Sequence, residues 1–349
     1  MISVSIIIPN WNGADLLKAH LPSVLNAQKN YQGNSEIIVV DDASTDQSVN
    51  LLKKEFLNIK TVTHDQNQGF GKACWSGAQA ANYPVLIFLN SDVEVYPDFI
   101  APLMKSFKDP TVFSVSPLIL NQNGSPADVT VSMPYFRRGK IRYKPVPLQQ
   151  LMNNTSSLPN PWYTLFPLGG AFAVERKRFL ELHGFDDLFV PFYYEDTDLG
   201  FCAWRRGWKC LVVPESRVTH FHKGTISRSF NRFRVKIIRK RNRLLYLWKN
   251  LTSPELLKQQ ILFQMLRLFY SLFLLDGMQI VATVLAVPRF RKAMRKRRNE
   301  QKNVVNSEKK IFRIINSANR ANCRAIESSA YPTCGQILEG NENNPYRHQ

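Results

Sequence analysis

Cysteine is scarce, with five in 349 residues: Cys74, Cys202, Cys210, Cys323 and Cys334. The count is odd and no two are spaced C-x-x-C. That argues against a disulfide framework or a structural zinc site and fits a reducing compartment. The opening apolar run from Ile2 to Ile8 is cut by Pro9 and Asn10, and no basic stretch precedes it. It is too short for a secretion signal, so export is not expected. Neither G-x-G-x-x-G nor a P-loop spacing occurs, so a dinucleotide or P-loop site is not indicated. Repeats and extended low-complexity tracts are also missing. Carboxylates nearly vanish from one region: residues 223–300 hold 19 Lys and Arg against 3 Asp and Glu.

The net charge of +19 first suggests a nucleic-acid binder. Its distribution argues otherwise. Residues 1–222 are neutral, residues 223–300 carry +16, and the rest carries +3. A neutral domain bears a basic appendage, and nucleic acid is not expected as a partner. Hydrophobic residues make up 44% of the chain, enough for a sizeable core.

Val4 to Ile8, Glu36 to Val40, Lys60 to Thr63 and Val85 to Leu89 read as strands. Helical spacing runs through about Ala14 to Ala27, Ser48 to Phe56 and Lys72 to Ala81. The alternation predicts an α/β fold with a mostly parallel sheet and helices on both faces. Polar clusters follow the strands: Pro9 to Asn12, Asp41 to Asp46, Asn67 to Gly71 and Asn90 to Asp92. Ligands in such sheets sit at the carboxyl ends of strands, so these clusters predict one cleft. The segment 121–165 reads as irregular or as a flexible lid.

Asp92 ends a strand where a carboxylate can hold Mg²⁺ or Mn²⁺ against a diphosphate; a strand-ending Asx turn is the plainer alternative. Asp42 can face the cleft while Asp46 caps the next helix. Asn67 to Gly71 is a glycine-bearing turn whose amides can meet an anion. Tyr193-Tyr194-Glu195-Asp196-Thr197-Asp198 crowds three carboxylates beside two tyrosines. Like charges repel, so one of them can have a raised pKa and take a proton from a sugar hydroxyl. His220 and His222 follow a strand and a turn at Pro214, and a neutral imidazole is a common metal ligand.

In this order the clusters resemble family 2 glycosyltransferases of the GT-A (Rossmann-like) fold, most closely the bacterial rhamnosyltransferase-like branch. The matching stretches are Ser3 to Gly13, Val40 to Asp46, Asn67 to Phe70, Leu89 to Asp92, Gly169 to Phe172, Gly184 to Asp187, Tyr194 to Leu199 and Val218 to His220, covering about residues 1–250. The resemblance implies inverting transfer from a nucleotide-sugar donor to a saccharide or lipid-linked saccharide acceptor in cell-surface polysaccharide synthesis. Pro9, Trp11, Asp41, Asp42, Asn67, Gly69 and Asn90 would line the donor site, with Trp11 near the base. Asp92 and His220 would contact a divalent cation, Mg²⁺ or Mn²⁺. Asp196 takes the general-base place, Glu195 beside it holds the acceptor, and Gly169 and Gly170 let the backbone approach the acceptor sugar. The sequence departs from the family at Asn90, where the first Asp of D-x-D is expected, and at Cys202, where an Arg is usual. The first weakens a metal or ribose contact, and the second predicts a missing ion pair. A non-catalytic nucleotide-sugar-binding protein is the alternative.

Three regions are expected: a catalytic domain over 1–225, a basic and apolar helical region over 226–299, and a polar, disordered tail over 300–349. Residues 228–249 read as a basic amphipathic helix with aromatic anchors. Leu268 to Val287 is apolar but broken by Asp276-Gly277, which favours a surface-lying or re-entrant pair over a spanning helix. Arg289 to Arg298 would meet anionic lipid headgroups. These features predict a protein held peripherally on an anionic membrane surface, at the cytoplasmic face.

Overall fold

The computed structural model describes residues 1–155, 158–221, 230–273 and 276–329. The first half alternates β1 (Val4–Asn10), α1 (Ala14–Asn30), β2 (Ser35–Asp41), α2 (Ser48–Glu55), β3 (Lys60–Thr63), α3 (Phe70–Ala80) and β4 (Val85–Leu89). It continues with β5 (Val93–Val95), α4 (Ile100–Ser106), β6 (Val112–Leu120), β7 (Ser132–Arg137), β8 (Lys140–Pro145), α5 (Leu148–Asn154) and β9 (Trp162–Tyr163). Then come β10 (Ala171–Glu175), α6 (Arg176–Glu181), α7 (Glu195–Arg205) and β11 (Lys209–His220). The remaining helices are α8 (Arg232–Asn250), α9 (Pro254–Phe273), α10 (Gly277–Ala286), α11 (Phe290–Gln301) and α12 (Glu308–Ser329).

Nine strands form one sheet in the order β3-β2-β1-β4-β10-β6-β11-β5, with β9 also paired to β11, and β7 and β8 form a separate two-stranded sheet. β3, β2, β1 and β4 pair in parallel, as do β6 and β11, while β10 runs against both β4 and β6. The five residues of β4 are all buried, as a strand covered by helices on both faces requires. α1 buries the stripe Leu16, Leu17, Leu21, Val24 and Ala27. Strand order reverses between β2-β1 and β1-β4, which opens a crevice at the carboxyl ends of these strands. The antiparallel β10 brings its amino end, and hence Gly169 and Gly170, to that same edge.

Several expectations are corrected. Within 121–165, residues 132–145 form a regular hairpin, because Arg138 and Gly139 both take positive φ (51° and 70°) and make the tight turn such a hairpin needs. His220 ends a single strand that passes through Pro214 with an irregular register; a turn does not separate it from β11. His222 lies outside the described residues. The apolar face of α8 does not point outward: Leu244, Leu245, Tyr246 and Leu247 are buried in one cluster with Ile7, Phe201 and Trp204. The expected boundary at residue 225 lies outside the described residues. The tail expected to be disordered from residue 300 holds α12 over 308–329. Its Ile311, Phe312, Ile315, Cys323 and Ile326 recur on one helical face and are buried. That stripe outweighs the polar composition. Residues 330–349 lie outside the described residues. Among the described residues no helix is long and apolar enough to cross a membrane.

Candidate active site

The end of β1 is tied to the end of β2. Asn10 donates from Nδ2 to Asp41 Oδ2 at 3.0 Å, and the Asn12 amide donates to Ser44 Oγ at 2.8 Å. Asp46 accepts from the amides of Ala14 and Ser48, both at 2.9 Å, so it anchors the starts of α1 and α2 together. Pro9 and Trp11 are half-buried beside this loop. Asp41 is almost wholly buried and is spent on this scaffold, since its Oδ1 also accepts from the Ser44 amide at 2.9 Å.

Asp42 does not present a free carboxylate to the cleft as expected. It is 3% exposed, and its oxygens accept from the amides of Gln68 (2.8 Å) and Gly69 (2.7 Å) and contact His64 Nδ1 at 2.7 Å. His64 reaches on to Ser76 Oγ at 2.9 Å. Asp42 thus shapes the Asn67–Gly69 turn from below. Gly69, with φ of 87°, stands where a side chain would be strained. Asn67 is exposed above it. His64 escaped the sequence reading because a lone histidine after a strand carries no spacing signal.

Asp92, 2% exposed, follows β4 and meets His220 at the end of β11: Oδ1 to Nε2 is 3.2 Å. The turn between β4 and Asp92 is pinned by Asn90, whose amide donates to the Gly170 carbonyl at 3.0 Å. A Cβ on Gly170 would stand 2.9 Å from His220 Nδ1, and one on Gly169 would stand 2.9 Å from Asp196 Oδ2. The two glycines are therefore required by the close approach of His220 and Asp196, a reason other than the acceptor contact expected for them. A line of contacts runs from Asp92 through His220 and the Gly169-Gly170 backbone to Asp196.

Asp196 and Glu195 open α7. Before them Tyr193 and Tyr194 both adopt left-handed backbone conformations, φ 71° and 78°. Such strain persists only where the surroundings enforce it. Here Asn242 of α8, fully buried, donates its amide to the carbonyls of Phe189 (2.5 Å), Phe192 (2.9 Å) and Tyr193 (2.9 Å). Burial pushes the Glu195 carboxyl up to about 8, and the neighbouring Asp196 charge adds to this. Glu195 Oε2 is buried without a hydrogen-bond partner. Burial also raises Asp196, but the amide and hydroxyl of Thr197 (2.6 and 3.2 Å) and the Gly169 amide work against it. Both carboxyls are thus raised, and of the two Asp196 has the hydrogen bonds that support loss of its proton. Asp196 is then the carboxylate able to accept one.

Behind this pair, Lys249 of α8 lies between Asp186 Oδ2 (2.7 Å) and Asp198 Oδ2 (2.5 Å). Burial works against its charge, but Asp198 and then Asp186 outweigh that and raise the ammonium well above its usual range. Asn250 completes the support of Asp198 at 2.7 Å. The ion pair expected to be missing at Cys202 is thus supplied from α8; Cys202 Sγ lies 4.0 Å from the same Asp198 Oδ2. Lys249, Asn242 and Asn250 were missed because polar residues in a basic stretch read as solvated.

An open cavity of about 880 Å³ adjoins the site and is lined by Asn67, Gly69, Trp75, Phe185, Glu195 and Lys249, among others. It shares Asn67, Gly69 and Glu195 with the expected site but not Asp92, Asp196 or His220, so it flanks the line from Asp92 to Asp196. Among the described residues no group of three or more His, Cys, Asp and Glu gathers to hold a metal. Asp92 and His220 supply two converging ligands. That suits a hard cation that completes its shell with diphosphate oxygens and water.

Residues 5–160 match the family model described as Glycosyl transferase family 2. Human polypeptide N-acetylgalactosaminyltransferase 16 is 29% identical over 192 residues, covering 53% of this chain and 34% of its own length. Polypeptide N-acetylgalactosaminyltransferase 8 of Drosophila melanogaster is 30% identical over 236 residues, 63% and 38% respectively. The chain spans well under half the length of these relatives. Among solved structures, GalNAc-T7 with UDP, GalNAc and Mn²⁺ aligns with a TM-score of 0.54 at 22% identity, covering 71% of this chain and 48% of that one. S. aureus TarS 1–349 aligns with a TM-score of 0.51 at 15% identity, covering 98% and 93%. These matches bear on the family-level likeness, and none of those named here is a rhamnosyltransferase. Over residues 5–160 the chain is thus similar to glycosyltransferase family 2, and its fold is of the GT-A kind.

Proposed function

We propose that the protein transfers a sugar, with inversion, from a nucleotide diphosphate to a hydroxyl of a lipid-linked saccharide at the cytoplasmic face of a membrane, in the synthesis of a cell-surface polysaccharide. The contact line from Asp92 through His220 and the paired glycines to Asp196 carries this reading, because it sets a diphosphate-binding end beside a base. The nucleotide lies over Pro9, Trp11 and the Asn67–Gly69 turn. Asp196 takes the proton from the acceptor hydroxyl as that oxygen attacks the anomeric carbon, and the nucleotide diphosphate departs from the opposite face. Protonated Glu195 donates a hydrogen bond toward the acceptor. A divalent cation held by Asp92 and His220 would neutralise charge on the leaving diphosphate. The relatives that match are N-acetylgalactosaminyltransferases, which favours a UDP-linked hexosamine over a deoxyhexose as donor.

The membrane part rests on α9 and α10. Ile261, Leu262, Met265, Phe269, Leu272 and Phe273 are each more than half exposed on α9, and Val284 of α10 joins them. So large an apolar face on one helical pair marks an interaction surface. The exposed Arg291, Arg295 and Arg298 of α11 provide the charge that suits an anionic bilayer.

The decisive experiment is transfer from labelled UDP-N-acetylhexosamine by wild type and by Asp196→Asn. The variant is expected to lose turnover by about a thousandfold or more, in line with loss of a positioned general base, with UDP affinity retained. Unchanged turnover removes Asp196 from the base role.

A further inference from the structure

The tight hairpin turn presses into the helical half of the molecule. A Cβ on Gly139 would stand 2.8 Å from Phe263 Cβ and 3.2 Å from the Gln259 carbonyl, and Arg267 donates to the Arg138 carbonyl. Side chains alternate along β8, so Lys140 and Arg142 share the face opposite buried Ile141. Arg239 and Arg243 lie one turn apart on α8, and Arg267 comes from α9. These five cations belong to three elements that meet beside the hairpin turn. Among the described residues no carboxylate pairs with any of them; Lys240 alone on this side has one, Asp276 at 3.1 Å.

The cations perturb one another. Burial pushes the Lys140 ammonium down to about 7, and Arg243, Arg267, Arg142 and Lys240 add to the fall. Burial also pulls Arg267 down to about 10, helped by Arg243 and Arg142. The cluster borders the site: the Arg239 guanidinium lies 4.4 Å from the Tyr193 ring centroid, and Arg243, Arg239 and Asp196 all act on the Tyr194 phenol. On its other side begins the apolar face of α9.

We propose that this cationic patch between the β7–β8 hairpin and helices α8 and α9 binds the diphosphate that joins an acceptor saccharide to its lipid, with Lys140, Arg142, Arg243 and Arg267 as its contacts. This rests on the reading that the acceptor is lipid-linked. Planar guanidinium forks match phosphate oxygens in pairs, which suits the arginine-rich set. Several cations gathered in one patch call for a multivalent anion; a single lipid headgroup would leave most of them unbalanced. The apolar face of α9 would lie along the lipid chain, and the saccharide would extend past Tyr193 toward Asp196. The arrangement would let the enzyme read the anchor of its acceptor independently of the sugar.

Titration of the full-length protein with farnesyl diphosphate tests this, with inorganic pyrophosphate, farnesol, and phosphatidylcholine vesicles containing phosphatidylglycerol as comparators. Farnesyl diphosphate is expected to bind at least about tenfold more tightly than pyrophosphate or farnesol. Arg142→Ala and Arg243→Ala should each weaken it about tenfold while UDP affinity stays unchanged. At pH 8 binding should take up a proton, read as a buffer-dependent heat, because an anion restores the Lys140 charge; Lys140→Met should abolish that uptake. Equal affinity in the variants, or no proton uptake, overturns the proposal. So does binding that disappears in Asp92→Ala, which would seat the probe in the donor site. A loss confined to the phosphatidylglycerol vesicles also overturns it and makes the cluster a headgroup contact. If Arg243→Ala does not fold, the exposed Arg142 decides alone. Loss of turnover in Asp196→Asn without farnesyl diphosphate binding sinks this site and leaves the transferase reading standing.

Discussion

Residues 1–222 and residues 223–300 differ in net charge by sixteen, yet each is incomplete without the other. The first part is neutral but gathers carboxylates at one sheet edge and at the start of α7. The second is strongly basic but splits its cations. Lys249 and Lys296 turn inward, and with the more exposed Lys292 they pair with Asp186, Asp187 and Asp198 of the first part. Arg142 of the hairpin, with Arg239, Arg243 and Arg267, has no carboxylate partner among the described residues. The difference teaches that a surplus of one charge along the chain does not locate its partner: part of it is internal scaffolding, and only the remainder is offered outward.

The largest test of that division is Lys249→Ala. It strands two buried carboxylates, so it should cost about 3–5 kcal/mol, the usual penalty for breaking a buried ion pair. A fall in the urea midpoint at unchanged slope would show it; a normal midpoint would mean that α8 is only an appendage. Next is Asn242→Ala, which frees the turn carrying the two left-handed tyrosines. We expect kcat to fall about tenfold to a hundredfold through misplacement of Asp196, with KM for the donor unchanged. A rise in KM alone would deny the positioning role. Phe269→Asp on α9 should weaken binding to anionic vesicles about tenfold or more while UDP affinity holds; sedimentation with vesicles reads this directly. The smallest effect is on pH dependence. The folded-state pKa of Glu195 is raised to about 8, so the stability tied to its proton is full below about pH 4.5 and is lost as pH rises toward 8. Glu195→Gln should flatten that slope and raise Tm at pH 8 by about 2–4 °C, measured against the same change at pH 5.

The strand and helix alternation through β4 was legible because apolar period alone distinguishes those elements. The meeting of the polar clusters after β1 and β2 was legible too, since those strands run the same way. The glycines at 169 and 170 were visible, but their cause was not: it lies in the distance to His220 and Asp196, which no local spacing encodes. Asp42 was read as a ligand because a carboxylate after a strand looks free until the amides of Gln68 and Gly69 are folded beneath it. Asn242 and Lys249 find partners about fifty residues upstream, so their neighbours in the chain said nothing. In α12 the stripe of Ile311, Ile315 and Ile326 was present, but the polar residues around it dominated the reading.

Asn319 of α12 has a consequence for the sheet. Its side-chain amide donates to the Tyr163 carbonyl and accepts from the Tyr163 amide, both at 2.9 Å. One side chain thus imitates the neighbour that β9 lacks, and the outer rim of the short strand is closed to recruitment by another chain. Changing that asparagine to leucine would leave catalysis alone yet turn the molecule sticky at high concentration, with self-association beginning at β9.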